Sequence, residues 1–134
     1  MMKLKEIQLQ TKRRTEVIDI TTEVSEILRA NGIENGLAVI FVPHTTAGIT
    51  INENADPSVK RDFLTKMNRM IPEIDGYTHL EGNSDAHIKT ILTNPSQTVI
   101  VEDGRLMLGT WQGVYFCEYD GPRTRKVWVK ILEE

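Results

Sequence analysis

Cysteine is almost missing from this chain of 134 residues: Cys117 is the only one, so no internal disulfide can form. It lies in a strand-like run with nothing basic adjoining it, the setting of a small core hydrophobe rather than a reactive thiolate. Long apolar runs are also absent. None approaches the roughly 18 residues that a membrane span needs, and the first residues carry no apolar signal-peptide core. A large charge of one sign is missing too. A net charge of −3 offers no basic face for nucleic acid, and the clusters at 12–14 and 123–126 are local, flanked by acids or by a strand pattern. No linker, repeat or low-complexity tract divides the sequence. What remains is a single domain over 1–134, 40% apolar and 26% charged, expected in the cytoplasm.

Histidine is scarce, and its placement is uneven. Two of the three histidines, His79 and His87, fall in one short stretch, His79-Leu80-Glu81-Gly82-Asn83-Ser84-Asp85-Ala86-His87. The third opens His44-Thr45-Thr46 directly after an apolar segment and Pro43. Seven residues between His79 and His87 match no helical ligand pair and no standard zinc spacing. Either histidine alone reads best as a hydrogen-bonding group at a loop end or helix start. Taken together beside Glu53, Asp56, Glu81 and Asp85, the trio points to a site.

Taken in order, residues 3–11 and 15–20 read as two strands forming a hairpin across the basic turn. Thr21 is placed as the cap of a helix carrying Val24, Ile27 and Leu28 and stopping at Asn31-Gly32. The continuous apolar run 37–42 is a buried strand, and 48–52 is another, with Ile49 and Ile51 on one face. Asp56-Pro57 starts a helix with Val59, Phe63, Met67 and Met70 on its core face, ended by Pro72. Residues 72–83 form a long loop. Ser84 caps a short helix that ends before Pro95, with its first N–H groups, 84–87, free for an anion. Strands follow at 97–101, 105–110, 113–119 and 125–132, with turns at 102–104 and 120–122. The fold class is α+β: a mainly antiparallel sheet with about three helices packed on it.

Six segments occur together and in one order: His44-Thr45-Thr46; Ile51-Asn52-Glu53-Asn54-Ala55-Asp56-Pro57; His79-Leu80-Glu81-Gly82-Asn83; Ala86-His87; Leu108-Gly109-Thr110-Trp111-Gln112; and Glu118-Tyr119-Asp120-Gly121-Pro122-Arg123. In these the chain resembles the YjbQ-like family, formerly UPF0047 and often called secondary thiamine-phosphate synthase. The resemblance runs over essentially the whole chain. It implies a strongly curved sheet, a homotrimer, and polar motifs gathered in a cleft near the subunit boundary. It also implies a secondary activity that couples a pyrimidine diphosphate to a thiazole phosphate and releases pyrophosphate. The dedicated enzymes for that reaction are (β/α)8 barrels, for which this chain is too short.

The residues themselves allow three classes of function. The first is an enzyme acting on a phosphorylated or heterocyclic small molecule. Here His44, His79 and His87 would hold a divalent metal, zinc or magnesium. Glu53, Glu81 or His87 would move protons. Thr45, Thr46, Asn52, Asn83, Ser84, Thr110, Trp111, Gln112 and Arg123 would bind substrate and its anionic groups. The second class is a non-catalytic trimeric metabolite- or metal-binding protein using the same pocket. The third is an interaction protein whose polar motifs stitch subunits together. Local roles compete at several positions: Asn54 and Asp56 suit a turn and a helix cap, and Arg123 could pair with Glu118. No nucleic-acid or membrane partner is expected.

Overall fold

The computed structural model describes residues 3–134. Eight strands and three helices follow in the order β1 (Lys5–Gln10), β2 (Glu16–Asp19), α1 (Thr21–Ala30), β3 (Gly36–Phe41), β4 (Ala47–Glu53), α2 (Pro57–Met70), α3 (Ser84–Thr93), β5 (Ser96–Glu102), β6 (Arg105–Leu106), β7 (Gln112–Glu118) and β8 (Thr124–Glu133). The strands form two antiparallel sheets, a larger one ordered β1-β8-β3-β5-β6 and a smaller one ordered β2-β7-β4. The expected β1–β2 hairpin does not form. β1 pairs with β8 and β2 with β7, so the basic turn between them passes from one sheet to the other. The apolar alternation in each strand matched both arrangements, and only the long-range partners decide between them.

The main core lies between the sheets. Ala38, Ile40, Val99, Val101, Val127, Val129 and Ile131 from the larger sheet meet Ile49, Val114 and Phe116 from the smaller, with Val24 and Leu28 of α1 closing one side. The far face of the smaller sheet carries Tyr115, Cys117 and Tyr119 and is covered by Met67 of α2 and Ala86 of α3. β7 is therefore buried on both faces from Gly113 onward, which accounts for its unbroken apolar run. Burial pushes the Cys117 thiol up to about 12, so it stays neutral as a core group.

Several local expectations shift. Thr21 and Ser84 are the first helical residues, and the caps are Ile20 and Asn83, neither with a side-chain capping bond. Asp56 caps α2 as expected, accepting from the Ser58 N–H at 2.9 Å. On that helix only Met67 is buried, while Val59 and Met70 are exposed. The strand expected over 105–110 stops at Leu106, because the chain leaves the sheet edge to reach the start of β7.

Candidate functional site

β7 joins two polar neighbourhoods, and its register separates them. Glu118 lies opposite Ala47 and Gln112 opposite Glu53, so six residue steps, about 20 Å, lie between them. His44, Thr46, Asn83 and Arg123 gather at the Glu118 end. Asn52, Glu53, Thr110, Trp111 and Gln112 gather at the other. Within one chain the residues expected to form a single site are thus split between two ends of the smaller sheet.

At the Glu118 end the chain turns from the smaller sheet into the larger. Continuing the alternation of β8 backward from Val127 places Arg125 inward, and continuing that of β7 forward from Phe116 does the same for Glu118. Both are buried, and they meet. Glu118 accepts from Arg125 Nε at 2.8 Å and from Arg125 Nη2, from the Thr11 hydroxyl at 2.8 Å, and from the Asp120 N–H at 2.9 Å. Arg125 Nη2 also donates to Thr46 Oγ1 at 2.9 Å. The expected Arg123–Glu118 pair is therefore replaced: Arg123 pairs with Asp120 at 3.1 Å, and the Glu118 oxygens are taken by Arg125, Thr11 and Asp120. Asp120 in turn accepts from Asn83 Nδ2 at 2.9 Å, which ties the start of α3 to this turn. The turn lies so close to residues 11–13 that a Cβ on Gly121 would sit 2.3 Å from the Arg13 carbonyl oxygen. The Gly121–Pro122 peptide is cis.

His44 is placed by a mismatch in strand length. β3 ends at Phe41, opposite Trp128, while β8 begins at Thr124 and so extends past it. The N–H of Lys126 has no ladder partner there, and it donates to His44 Nε2 at 2.9 Å. The neutral ring therefore carries its proton on Nδ1. Burial, and then the charge of Arg125, hold the His44 pKa below its usual value. Within one chain this geometry does not assemble the expected three-histidine metal centre. The Nε2 lone pair is spent on Lys126 and Nδ1 is protonated, so the ring as placed has no lone pair for a metal. Among the described residues no group of three His, Cys, Asp or Glu side chains could hold an ion.

The other two histidines do meet. The rings of His79 and His87 pack edge to face, with centroids 5.2 Å apart, and His79 Nε2 lies 3.9 Å from Glu81 Oε2. His87 is in the first turn of α3, behind a helix start fixed from below. Asp85 is fully buried and accepts from Arg14 Nη1 and Nη2, each at 3.0 Å, and from Lys89 Nζ at 2.9 Å. Burial alone would raise the pKa of Asp85, but the bonds from Arg14 and Lys89 outweigh it and hold the carboxyl below the usual range. Of the four N–H groups expected to be free at this helix start, those of Ala86 and His87 donate to the Asn83 carbonyl at 3.0 and 3.3 Å. Ser84 and Asp85 keep theirs outside the helical ladder.

At the far end of β7, Glu53 acts as a turn former: Oε2 accepts the N–H groups of Ala55 and Asp56 at 3.0 and 3.2 Å. Asn54 donates to Asp19 at 3.0 Å and accepts from the Tyr115 hydroxyl at 2.9 Å, while its own N–H reaches the Trp111 carbonyl. A Cβ on Gly113 would press into the Asn54 side chain at 2.8 Å, so glycine lets this network close. Gln112 folds back to accept the Gly109 N–H at 2.7 Å, and Trp111 is 62% exposed. A cavity of about 220 Å³ opens beside Glu53 between Phe63, Lys60 and the Tyr115 ring, and a groove of about 460 Å³ runs between α1 and the β5–β6 hairpin. Neither contains a histidine.

Arg125, Glu118 and Thr11 were not among the expected site residues. The signal for the first two was present: strand alternation set a charged residue on the same face as a row of core valines and phenylalanine, where it must find a partner.

Residues 5–134 match the family described as UPF0047 protein YjbQ-like. The UPF0047 protein YugU of Bacillus subtilis is 55% identical over 132 residues, covering 96% of this chain and 98% of that protein. The UPF0047 protein MJ1081 of Methanocaldococcus jannaschii is 54% identical over 125 residues, 93% of this chain and 91% of that one. A crystal structure of an uncharacterised YjbQ/UPF0047 protein from Clostridium acetobutylicum superposes with a TM-score of 0.94 at 54% identity, covering 96% of this chain and 99% of that one. A hypothetical protein from Aeropyrum pernix gives the same TM-score at 37% identity, with 99% and 100% covered. With the match running over nearly its full length, this chain belongs to the YjbQ-like UPF0047 family.

Proposed function

We propose that this protein is a small-molecule enzyme of the cytoplasm, acting on a phosphorylated or heterocyclic substrate at the Glu118 end of β7. The observation that carries this reading is the convergence there of Arg123, held by Asp120, with Asn83 and a helix start that presents His87 against His79. Coupling of a pyrimidine diphosphate to a thiazole phosphate fits as a secondary activity. Negative charge builds on the departing pyrophosphate, and Arg123, Thr45 and the N–H groups of Ser84 and Asp85 are donors suited to it. His87, or Glu81 through His79, moves the proton. A divalent metal enters this reading as a guest of the His79–His87 pair, completed by substrate oxygens or by a second subunit. Zinc suits two imidazoles better than magnesium does.

The protein works as a homotrimer in this reading. The open face of the larger sheet carries Leu37, Phe41, Ile100, Trp128 and Leu132 in neighbouring register positions, an apolar patch suited to another copy. Assembly of this kind would also let Glu53, Asn52 and residues 110–112 of one subunit approach the histidines of the next. Non-catalytic metabolite binding is the second reading. It is favoured by Glu53, whose Oε2 is already engaged by two backbone N–H groups.

The test is pyrophosphate release by purified protein supplied with the two phosphorylated rings. Slow turnover that His87→Ala abolishes supports the enzyme reading. A parallel loss in Glu53→Gln would place both ends of β7 in one composite site. Tight substrate binding with no turnover would leave the binding-protein reading in its place.

A further inference from the structure

The outer face of the smaller sheet is not fully covered. Ile49 and Ile51 of β4 turn toward the main core, so Thr50 and Asn52 stand on the opposite face. There Thr50 pairs in register with Tyr115 of β7. α2 seals this face with buried Met67, but toward the helix start the cover thins to Phe63 and then Val59, which is 37% exposed. The gap left over Thr50 and the Tyr115 ring is the cavity of about 220 Å³. Its apolar walls are Val17, Val59, Phe63 and that ring. The ring cannot swing aside, because its hydroxyl is held by the Glu53 carbonyl and by Asn54 Oδ1.

The polar groups lining the cavity are mostly uncommitted donors. Lys60 Nζ stands over the Tyr115 ring, 5.0 Å from its centroid, and has no ion pair among the described residues. Asp19 is close enough to feel its charge, but the Asp19 oxygens are already bonded to Thr21 and Asn54. Asn52 uses its oxygen on the Glu53 N–H at 2.7 Å, which leaves its amide N–H groups unengaged among the described residues. Glu53 is occupied as well, with Oε2 bound to two backbone N–H groups of the turn. An apolar slot with a few convergent donors is the usual form of a small-molecule site.

We infer that this cavity binds a single aromatic ring bearing a carboxylate, with the ring against Phe63, Val17 and Val59 and the carboxylate on Lys60. Size sets the first part. A cavity of about 150 Å³ takes benzene, so this one holds one ring with a small substituent and no second ring. Charge sets the second. Lys60 is the cation lining the cavity, and a carboxylate matches it one for one. The two charges of a phosphate would also face Asp19 and Glu53, whose fields both reach the Tyr115 hydroxyl. The inference goes beyond the site at the Glu118 end of β7 and does not depend on it.

The probes are benzoate and benzamide, which share shape and differ in charge, titrated into the intact protein by NMR. Benzoate should bind about tenfold tighter than benzamide. Its ring protons should show Overhauser contacts to Phe63 and Val17 and none to His79 or His87. Lys60→Met keeps the length of the side chain without its charge, and should bring benzoate down to the affinity of benzamide. Val59→Phe fills the mouth of the cavity and should weaken both probes about tenfold or more. A lysine that only packs on Tyr115 would give no preference for benzoate. That result, a preference that survives Lys60→Met, contacts to residues elsewhere, or no binding at ~20 mM benzoate would each overturn the inference. The wild-type preference and contacts decide the matter even if a variant does not fold.

Discussion

The two ends of β7 are built from different materials. At Glu118 the strand finishes in a buried ion pair that joins the two sheets and is supported by Thr11, Thr46 and the Asp120 N–H. At Gln112 it begins among Asn54, Asp19 and Trp111, side chains that water reaches and that bond mostly to turns. One strand thus separates a rigid, insulated polar cluster from a solvated one. In low dielectric an aimed donor acts strongly and needs no rearrangement, whereas a solvated one is screened. The Glu118 end therefore holds its charged groups in fixed positions. The Gln112 end, with Trp111 exposed and a cavity lined by Tyr115, is the more open of the two.

The largest effect expected from this contrast comes from breaking the insulated end. Glu118→Gln leaves Arg125 buried without its counter-charge and should cost about 3–5 kcal/mol in chemical denaturation. At the solvated end, Asn54→Ala removes the bonds to Asp19 and Tyr115 and should cost only about 1 kcal/mol. Equal losses would mean that the Glu118 end is wetter than the structure gives it, and the contrast between the ends would collapse. If Asn54→Ala instead proves the costlier, the turn at 53–57 is holding α2 in place as well as itself.

Much of this contrast was legible in the sequence, but only in parts. Alternation along β8 put Val127, Val129 and Ile131 on one face, and all three are buried. The same alternation carried back two residues reaches Arg125, and its partner could not be read because Glu118 lies across a sheet boundary. The family resemblance, the α+β class and the helix starting at Asp56-Pro57 were likewise readable from local pattern. The β1–β2 hairpin failed because short-range turn chemistry says nothing about which distant strand completes a ladder. The histidine trio is not gathered into one ligand group within a single chain, for a related reason. Composition brought His44, His79 and His87 together as residue types, but the position of His44 follows from β8 extending past β3, a matter of register. The split of Glu53 from Arg123 follows from the length of β7, which the sequence did show, and from the pairing of β4 with β7, which it did not.

The smallest expected effect is the sharpest probe of the Glu118 end. The His44 pKa lies below its unfolded value of 6.5, first through burial and then through Arg125. The unfolded chain therefore binds the His44 proton more readily than the folded one does. The His44 contribution to stability is complete above pH 6.5 and declines as pH falls from there through the folded pKa. The ring is only half-buried, so solvent screens the effect and the slope should be shallow. His44→Gln still offers an oxygen to the Lys126 N–H but cannot titrate. Subtracting its unfolding free energies between pH 5 and pH 7.5 from those of the wild type isolates the His44 term. A difference that grows steadily toward neutral pH fits a neutral His44 held beside Arg125. No difference would mean that the ring swings free of Lys126 in solution, and its Nε2 lone pair would then be open to a metal after all. Asn54→Ala, about 20 Å away along β7, should leave that slope unchanged, because the neutral form of His44 is favoured by its immediate neighbours.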